Sequence, residues 1–174
     1  LYPGGGRVPR RAWPLDYYCR LAAELLHKGY AVGIIGLADD KDVAEVILSH
    51  NRNQSCVDLT GYTKTIRELM TIFYFSALLI TNDGGPGHFA AMTPIPSIIF
   101  YGPETPTLYG AMNENAVNYY LNFSCSPCVT AYNHRKSPCD GDNLCLKNIQ
   151  PEKVLARAIE ILEGEMFEKN AQNP

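Results

Sequence analysis

Hydrophobic positions along the 174-residue chain alternate between short unbroken runs and stripes at helical spacing, a rhythm that predicts strand, helix, strand, helix over most of its length. Trp13, Leu15, Tyr18, Cys19, Ala22, Leu25 and Leu26 share one helical face, and Lys28-Gly29 ends it. A strand from Ala31 to Gly36 follows, then an amphipathic helix from Asp39 to His50 and a short strand from Cys56 to Leu59. Thr65 and Glu68 form the capping box of a helix that runs to Tyr74. Ala77–Ile80 reads as a buried strand; the turn Thr81-Asn82-Asp83-Gly84-Gly85-Pro86-Gly87 leads into a short helix, His88 to Met92, which Pro94 must stop. Strands at Pro96–Tyr101 and Ala116–Leu121 complete the sheet, and an irregular stretch over about 122–147 follows. Pro151 opens a closing helix over about 151–164, with Val154, Leu155, Ala158, Ile159 and Leu162 on its inner face, and Gln172 to Pro174 are expected to fray. Strands alternating with helices define the fold class: α/β, a Rossmann-like parallel sheet with helices on both faces.

Composition narrows the possible partners. With 46% hydrophobic and 19% charged residues the chain can build a core of its own, and it reads as one domain over residues 1–174. The net charge of -3 and the isolated Arg7/Arg10/Arg11 group leave no electrostatic footprint for nucleic acid. The longest apolar runs are strand-sized, well short of the ~20 residues that span a bilayer. Six cysteines are too few for a disulfide scaffold, which points to a reducing, cytoplasmic compartment. The opening Leu1-Tyr2-Pro3-Gly4 reads as the end of a strand running into a glycine loop, and the length is short for a cleft between two lobes, so half of a larger protein is expected.

In an open α/β sheet ligands bind beyond the carboxyl ends of the strands, and three loops there carry candidate chemistry. Gly4-Gly5-Gly6 lets a ligand approach the backbone, with Gly5 at its centre, and the nearby arginines, Arg11 above all, can fork onto phosphate oxygens. Asp83-Gly84-Gly85-Pro86-Gly87-His88 precedes a helix whose free N–H groups suit a diphosphate, and His88 can donate to a phosphate; as a plain structural device, Asp83 caps and the glycines turn the chain. The same stretch matches Gly-x-Gly-x-x-Ala with Glu104 near the expected ribose acid, a dinucleotide alternative weakened by Pro86 and Pro94. After the second strand, Asp39 or Asp40 can accept ribose hydroxyls or simply favour the helix dipole. Asp40-x-Asp42 and Asp140-x-Asp142 spell a metal-holding acid pair that chance produces easily. Cys125, Cys128, Cys139 and Cys145 fall in a polar loop; a structural zinc, a disulfide or free thiols all fit that spacing.

Arg11-Ala12-Trp13-Pro14, the Gly36 loop, Leu59-Thr60-Gly61, Thr81 through Ala91 and Phe100-Tyr101-Gly102-Pro103-Glu104-Thr105-Pro106 occur in the order seen in the lipopolysaccharide heptosyltransferase family, glycosyltransferase family nine, which the chain resembles over nearly all its length. The resemblance implies the donor-binding C-terminal half of a GT-B architecture. It maps Arg11 onto the residue that meets the donor diphosphate, Asp83, Gly84, Gly85 and His88 onto the phosphate-binding turn, and Asp40 onto the ribose contact. Gly102, Glu104 and Thr105 would border the donor sugar. Gly84 replaces the family's usual hydroxyl residue, and Gly87 loosens the helix start. A Cys-x-x-Cys element recurs in similar family members, which favours a structural role for the cluster.

The family performs inverting transfer from a nucleotide-sugar, here expected to be ADP-linked, to a glycan or lipid-linked acceptor, and needs no metal for departure of the leaving group. Arg11 and His88 are the catalytic candidates of this chain, and the general base belongs to an N-terminal domain. The resemblance therefore implies a chain that binds a nucleoside diphosphate but transfers no sugar alone, within a cytoplasmic protein able to associate peripherally with the inner membrane. A non-catalytic nucleotide-binding module is the competing expectation, and an NAD-dependent oxidoreductase domain the third.

Overall fold

The computed structural model describes residues 1–171 except Arg7, His134, Arg135, Pro138 and Asp140, with backbone alone for Pro9 and residues 165–171. The fraying expected of Gln172–Pro174, the share of Arg7 in the basic group and the Asp140 acid pair thus lie outside the described residues. Five strands, β1 (Val32–Gly36), β2 (Cys56–Thr60), β3 (Leu79–Asn82), β4 (Ser97–Tyr101) and β5 (Ala116–Tyr120), pair in parallel as β1-β2 and β3-β4-β5.

Residues 1–3 join these two sheets into one. The Leu1 nitrogen donates to Gly33 O and the Ile35 N–H to Leu1 O, while the Tyr2 N–H donates to Ile80 O and Tyr2 pairs in parallel with Thr81. In chain order the strands therefore lie third, second, first, fourth, fifth, sixth, the doubly wound arrangement whose direction reverses between the first and fourth strands. The strand end read at Leu1-Tyr2-Pro3 is the central strand of the sheet.

Side chains alternate across the sheet with the strand period of two. Val32, Ile34, Ile80, Ile98 and Phe100 pack beneath α1 (Leu15–His27), α2 (Lys41–Asn51) and the closing helix α7 (Pro151–Ala171). Tyr2, Ile35 and Leu79 face the opposite side, covered by α3 (Ile66–Tyr74) and α4 (Gly85–Ala90). Trp13, at the entry to α1, stacks on Phe100 with ring centroids 4.4 Å apart and donates from Nε1 to Ile149 O at 2.9 Å. The capping box at Thr65 forms as the sequence predicts: its hydroxyl accepts the Glu68 N–H, and the Glu68 carboxylate accepts the Thr65 N–H.

Several boundaries depart from the sequence pattern, and the closing helix runs to Ala171, past the end expected near 164. β3 begins and ends two residues later than the apolar run, because Thr81 and Asn82 continue the ladder and are fully buried despite being polar. α4 starts at Gly85 rather than His88, with Pro86 in its first turn, where a missing N–H costs nothing. Two short helices, α5 (Pro106–Tyr109) and α6 (Leu144–Lys147), stand where loops were expected; Thr105 caps the first, and Leu146 is drawn into the core by the second.

One buried amide ties these segments together. Asn82 accepts the Trp13 N–H at 2.8 Å on Oδ1 and donates from Nδ2 to Pro3 O at 2.9 Å and Gly4 O at 3.0 Å. The Tyr18 hydroxyl lies 3.1 Å from both Asn82 Oδ1 and Tyr2 O and shares its proton between them. Burial pushes the Tyr18 phenol well above its ordinary value, so it stays a donor. In Asn82→Asp the shape is kept but the donors facing two buried carbonyls are lost, with a cost on the order of 3 kcal/mol. The urea midpoint, followed by Trp13 fluorescence, measures this; a loss below about 1 kcal/mol would show that the amide is not the tie.

Candidate functional site

The reversal between residues 1–3 and β3 opens a crevice at the carboxyl ends of the strands, and the loops that leave those ends carry the candidate residues. After the central strand, Pro3 and Gly4 are anchored by Asn82, and the chain passes Gly5 and Gly6 into a one-turn helix, Pro9–Arg11. That turn delivers Arg11 toward the end of β3. Its guanidinium binds Glu104 through Nη2, and its Nε stands 3.6 Å from Asp83 Oδ2. Arg11 keeps 14% of its side-chain surface exposed, against 5% for Asp83 and 1% for Glu104.

The sequence reading set Arg11 to meet a diphosphate and did not foresee its partners: it is held by two buried carboxylates, Asp83 and Glu104. A guanidinium has five N–H donors, and among the described residues Arg11 Nη1 makes no hydrogen bond. Among the described residues, Arg11 Nε and Glu104 Oε1 are also buried without hydrogen-bond partners. Buried polar atoms of this kind are uncommon.

Asp40 closes the other side. It ends a short 3-10 turn, Ala38–Asp40, and its Oδ2 accepts the Leu37 N–H at 2.8 Å. A Cβ on Gly4 would stand 2.6 Å from Asp40 Oδ1, and one on Gly36 would stand 2.9 Å from Oδ2. The carboxylate thus sits against two strand ends that only glycine leaves room for. Asp39 is exposed, so the geometry favours Asp40 as the ribose candidate. Tyr2 lies close enough that the Asp40 charge, after burial, raises its phenol.

The α4 turn is less complete than its sequence promised. α4 has six residues, His88 is exposed, and its imidazole has no hydrogen-bond partner among the described residues. Gly84 is extended, with φ 170°, a conformation any residue adopts, and a Cβ there would meet nothing closer than 3.9 Å. Gly87 does not loosen the helix as its sequence suggested: a Cβ would stand 3.1 Å from Ile99 Cδ1, so the glycine lets α4 pack close on the sheet. Gly85 and Gly87 both lie within α4, after the fourth strand in chain order, and Glu104 is committed to Arg11, which removes the geometry the dinucleotide pattern requires.

Gly102, Pro103, Glu104 and Thr105 form the buried loop after β4. Cys128 and Cys145 lie against this loop. Cys125, Cys128, Cys139 and Cys145 are free thiols, and among the described residues no group of three or more His, Cys, Asp or Glu side chains is arranged to hold a metal ion.

The reversal of strand order, with helices on both faces of a parallel sheet, defines the doubly wound, Rossmann-like class of α/β domain. The chain belongs to Glycosyltransferase family 9 (heptosyltransferase), whose sequence profile matches residues 1–137. It is 34% identical over 117 residues to lipooligosaccharide heptosyltransferase 2 of Haemophilus influenzae, covering 66% of this chain and 34% of that protein. To lipopolysaccharide heptosyltransferase 2 of Salmonella typhimurium it is 29% identical over 168 residues, covering 94% of this chain and 46% of that protein. The solved E. coli ADP-heptose lps heptosyltransferase II superposes with a TM-score of 0.78 at 26% identity, over 95% of this chain and 46% of that one. The chain thus spans less than half the length of these relatives, and its fold is that of one part of a GT-B glycosyltransferase.

The sequence pattern missed Asn82 and Tyr18 as residues that position the candidate site. Asn82 stood inside a motif noted for its neighbours; what could have marked it is a lone amide at the end of an apolar strand. In Glu104→Ala, Arg11 keeps Asp83 and some water, so the cost falls near the low end for breaking a buried pair, about 3 kcal/mol. Thermal and urea unfolding check it, and a variant as stable as the parent would show the pair to be superficial.

Proposed function

We propose that this chain is the nucleotide-sugar-binding half of an inverting glycosyltransferase that uses an ADP-heptose-like donor in lipopolysaccharide core or related glycan synthesis. The observation that carries the reading is the Arg11–Glu104–Asp83 cluster at the sheet reversal, with Asp40 across the crevice and family membership behind it. Asp40 would accept the ribose hydroxyls, and the unused N–H groups of Arg11 would meet the diphosphate. Gly102, Glu104 and Thr105 would border the sugar, Gly5 would let the ligand approach the backbone, and Gly84, Gly85 and His88 would line the phosphate side.

In inverting transfer an acceptor hydroxyl attacks the anomeric carbon while the nucleoside diphosphate leaves with the bonding electrons. The developing charge is met by groups fixed in advance, and in this chain the guanidinium, oriented by two carboxylates, is the group so fixed. Departure then needs no metal. The base that deprotonates the acceptor, and the acceptor itself, would belong to the remainder of the protein. No helix among the described residues is long and apolar enough to cross a membrane; the reading places the enzyme in the cytoplasm, at the face of the inner membrane where a lipid-linked acceptor would be met.

Calorimetric titration of the chain with ADP, UDP and NAD tests the reading. ADP binding that falls at least fivefold in Arg11→Lys, which keeps the charge but not the planar fork, is the expected result. Tight NAD binding without ADP binding would overturn it, as would sugar transfer by this chain alone from an ADP-sugar to a lipid A-core acceptor.

Gly84→Ser tests the phosphate side separately. The extended backbone and open space around Gly84 mean that folding stability is unchanged or rises by about 0.5 kcal/mol. The added hydroxyl should tighten ADP binding severalfold, and an unchanged affinity would place the diphosphate away from this turn.

A further inference from the structure

The cysteine-rich stretch is fastened to both sides of the Arg11–Glu104 pair. On the Glu104 side, the N–H groups of Cys128 and Val129 both donate to Pro103 O, at 2.9 and 2.8 Å, and the Ser126 hydroxyl donates to Gly102 O. Gly102 lacks a Cβ that would stand 2.6 Å from Leu146 Cγ and 3.0 Å from Cys145 Sγ, so the stretch lies directly against the loop. On the Arg11 side, Asn143 Nδ2 donates to Arg10 O at 3.1 Å, and Arg10 Nη1 reaches Ser137 O at 3.4 Å. One segment therefore sets the backbone just before Arg11 and just before Glu104.

The thiols of that segment lie close together. Ser137 Oγ donates to Cys128 Sγ at 3.1 Å and accepts the Cys139 N–H at 3.0 Å, so a single hydroxyl separates the two residues. Cys125 is exposed, Cys128 and Cys139 are half-buried and Cys145 is buried. Burial, and then the neighbouring Cys128, Cys125 and Cys139, push the Cys145 thiol up to about 11, which keeps it protonated and inert at neutral pH. Cys125, Cys128 and Cys139, which keep some exposure, have no part in the donor-binding chemistry described above.

We infer that this stretch is a thiol-controlled strap on the donor site, in which a disulfide between Cys128 and Cys139 loosens the Arg11–Glu104 pair and weakens nucleoside diphosphate binding. The sulfur atoms of a disulfide stand about 2.05 Å apart, so closing the bond expels the Ser137 hydroxyl and draws the Cys128–Val129 turn toward Cys139, off Pro103 O. Glu104 then loses the loop that holds it against Arg11. The oxidant is a low-molecular-weight disulfide such as oxidised glutathione. The Cys128 thiolate attacks one of its sulfurs and displaces one glutathione thiolate; the Cys139 thiolate attacks the mixed disulfide and displaces the other. Two protein thiols become one disulfide, the oxidant becomes two thiols, and the two protein protons end on the released glutathiones.

The inference rests on the nucleotide-binding reading for its ligand but not for its geometry, and the test separates the two. The full chain is held reduced or treated with oxidised glutathione, the bond is assigned by mass spectrometry of proteolytic peptides, and two readouts follow: ADP affinity by calorimetry and Trp13 emission without ligand. Trp13, two residues beyond Arg11 and stacked on Phe100, is the sole tryptophan, so its emission reports the backbone the strap holds. Oxidation should weaken ADP binding at least tenfold and shift Trp13 emission, both reversed by dithiothreitol, while Cys139→Ser exposed to oxidant keeps the reduced chain's behaviour. Failure of the reduced chain to bind ADP would sink the nucleotide reading, and the Trp13 shift would then decide the strap by itself. A Cys128–Cys139 disulfide that changes neither readout, or the absence of that disulfide in the oxidised chain, would overturn the inference.

Discussion

The side-chain amide of Asn82 is the constraint on which the rest of the molecule depends. It is fully buried at the end of β3 and satisfied on both sides, by the Trp13 N–H and Tyr18 hydroxyl on its oxygen and by two carbonyls of the central strand on its nitrogen. A doubly wound sheet must diverge where its strand order reverses, which leaves backbone groups at the strand ends without neighbours. Water cannot reach Pro3 and Gly4, which are buried, so a side chain must supply their donors. An amide does this with both donors and acceptors. The same four contacts fix where the chain turns into α1, and so where Arg11 stands.

The charged cluster follows from that placement. Burying Glu104 and Asp83 is costly unless a cation is brought to them, and Arg11 arrives from the segment that Asn82 anchors. The arrangement is not a simple stabilising pair, since Arg11 faces two carboxylates and, among the described residues, Glu104 Oε1 and Arg11 Nε are buried without hydrogen-bond partners. A core optimised only for folding would replace such a group with apolar side chains of similar volume. Its place at the end of β3, near glycines that would collide with Asp40 if they carried a Cβ, is what the proposed ligand role would account for.

The elements of the fold were legible because they depend on local periodicity and capping. Thr65 and Glu68 sit three residues apart before an apolar stripe, and that spacing specifies the same capping box anywhere. Residues 1–3 were readable as a strand, but their place at the centre of the sheet depends on pairing with β1 and β3, which no local pattern encodes. The same holds for polarity. Thr81 and Asn82 read as a turn because they are polar, yet tertiary contacts extend the strand through them. Arg11, Asp40, Asp83 and Glu104 were each identified from loop position and resemblance, whereas the mutual pairing of three of them joins residues distant in the chain. The glycines show the limit most clearly: Gly87 looked like slack in a helix start, and it is the close contact that lets α4 lie on Ile99.

Because Arg11 is already engaged, a diphosphate binding as proposed would exchange contacts more than add them. The anion would share a guanidinium with two carboxylates whose own charge opposes it, in surroundings where Coulomb energies exceed those in water. The outcome depends on small differences in how closely Glu104 approaches Arg11. That distance is set neither by Arg11 nor by Glu104 but by the backbone behind each, the turn Pro9–Arg11 on one side and the Gly102–Pro103 carbonyls on the other. Both are held by the cysteine-containing stretch. On the inference drawn above, that stretch would control the geometry to which the site is most sensitive, because a set of opposed charges responds to displacements that a hydrophobic contact would absorb.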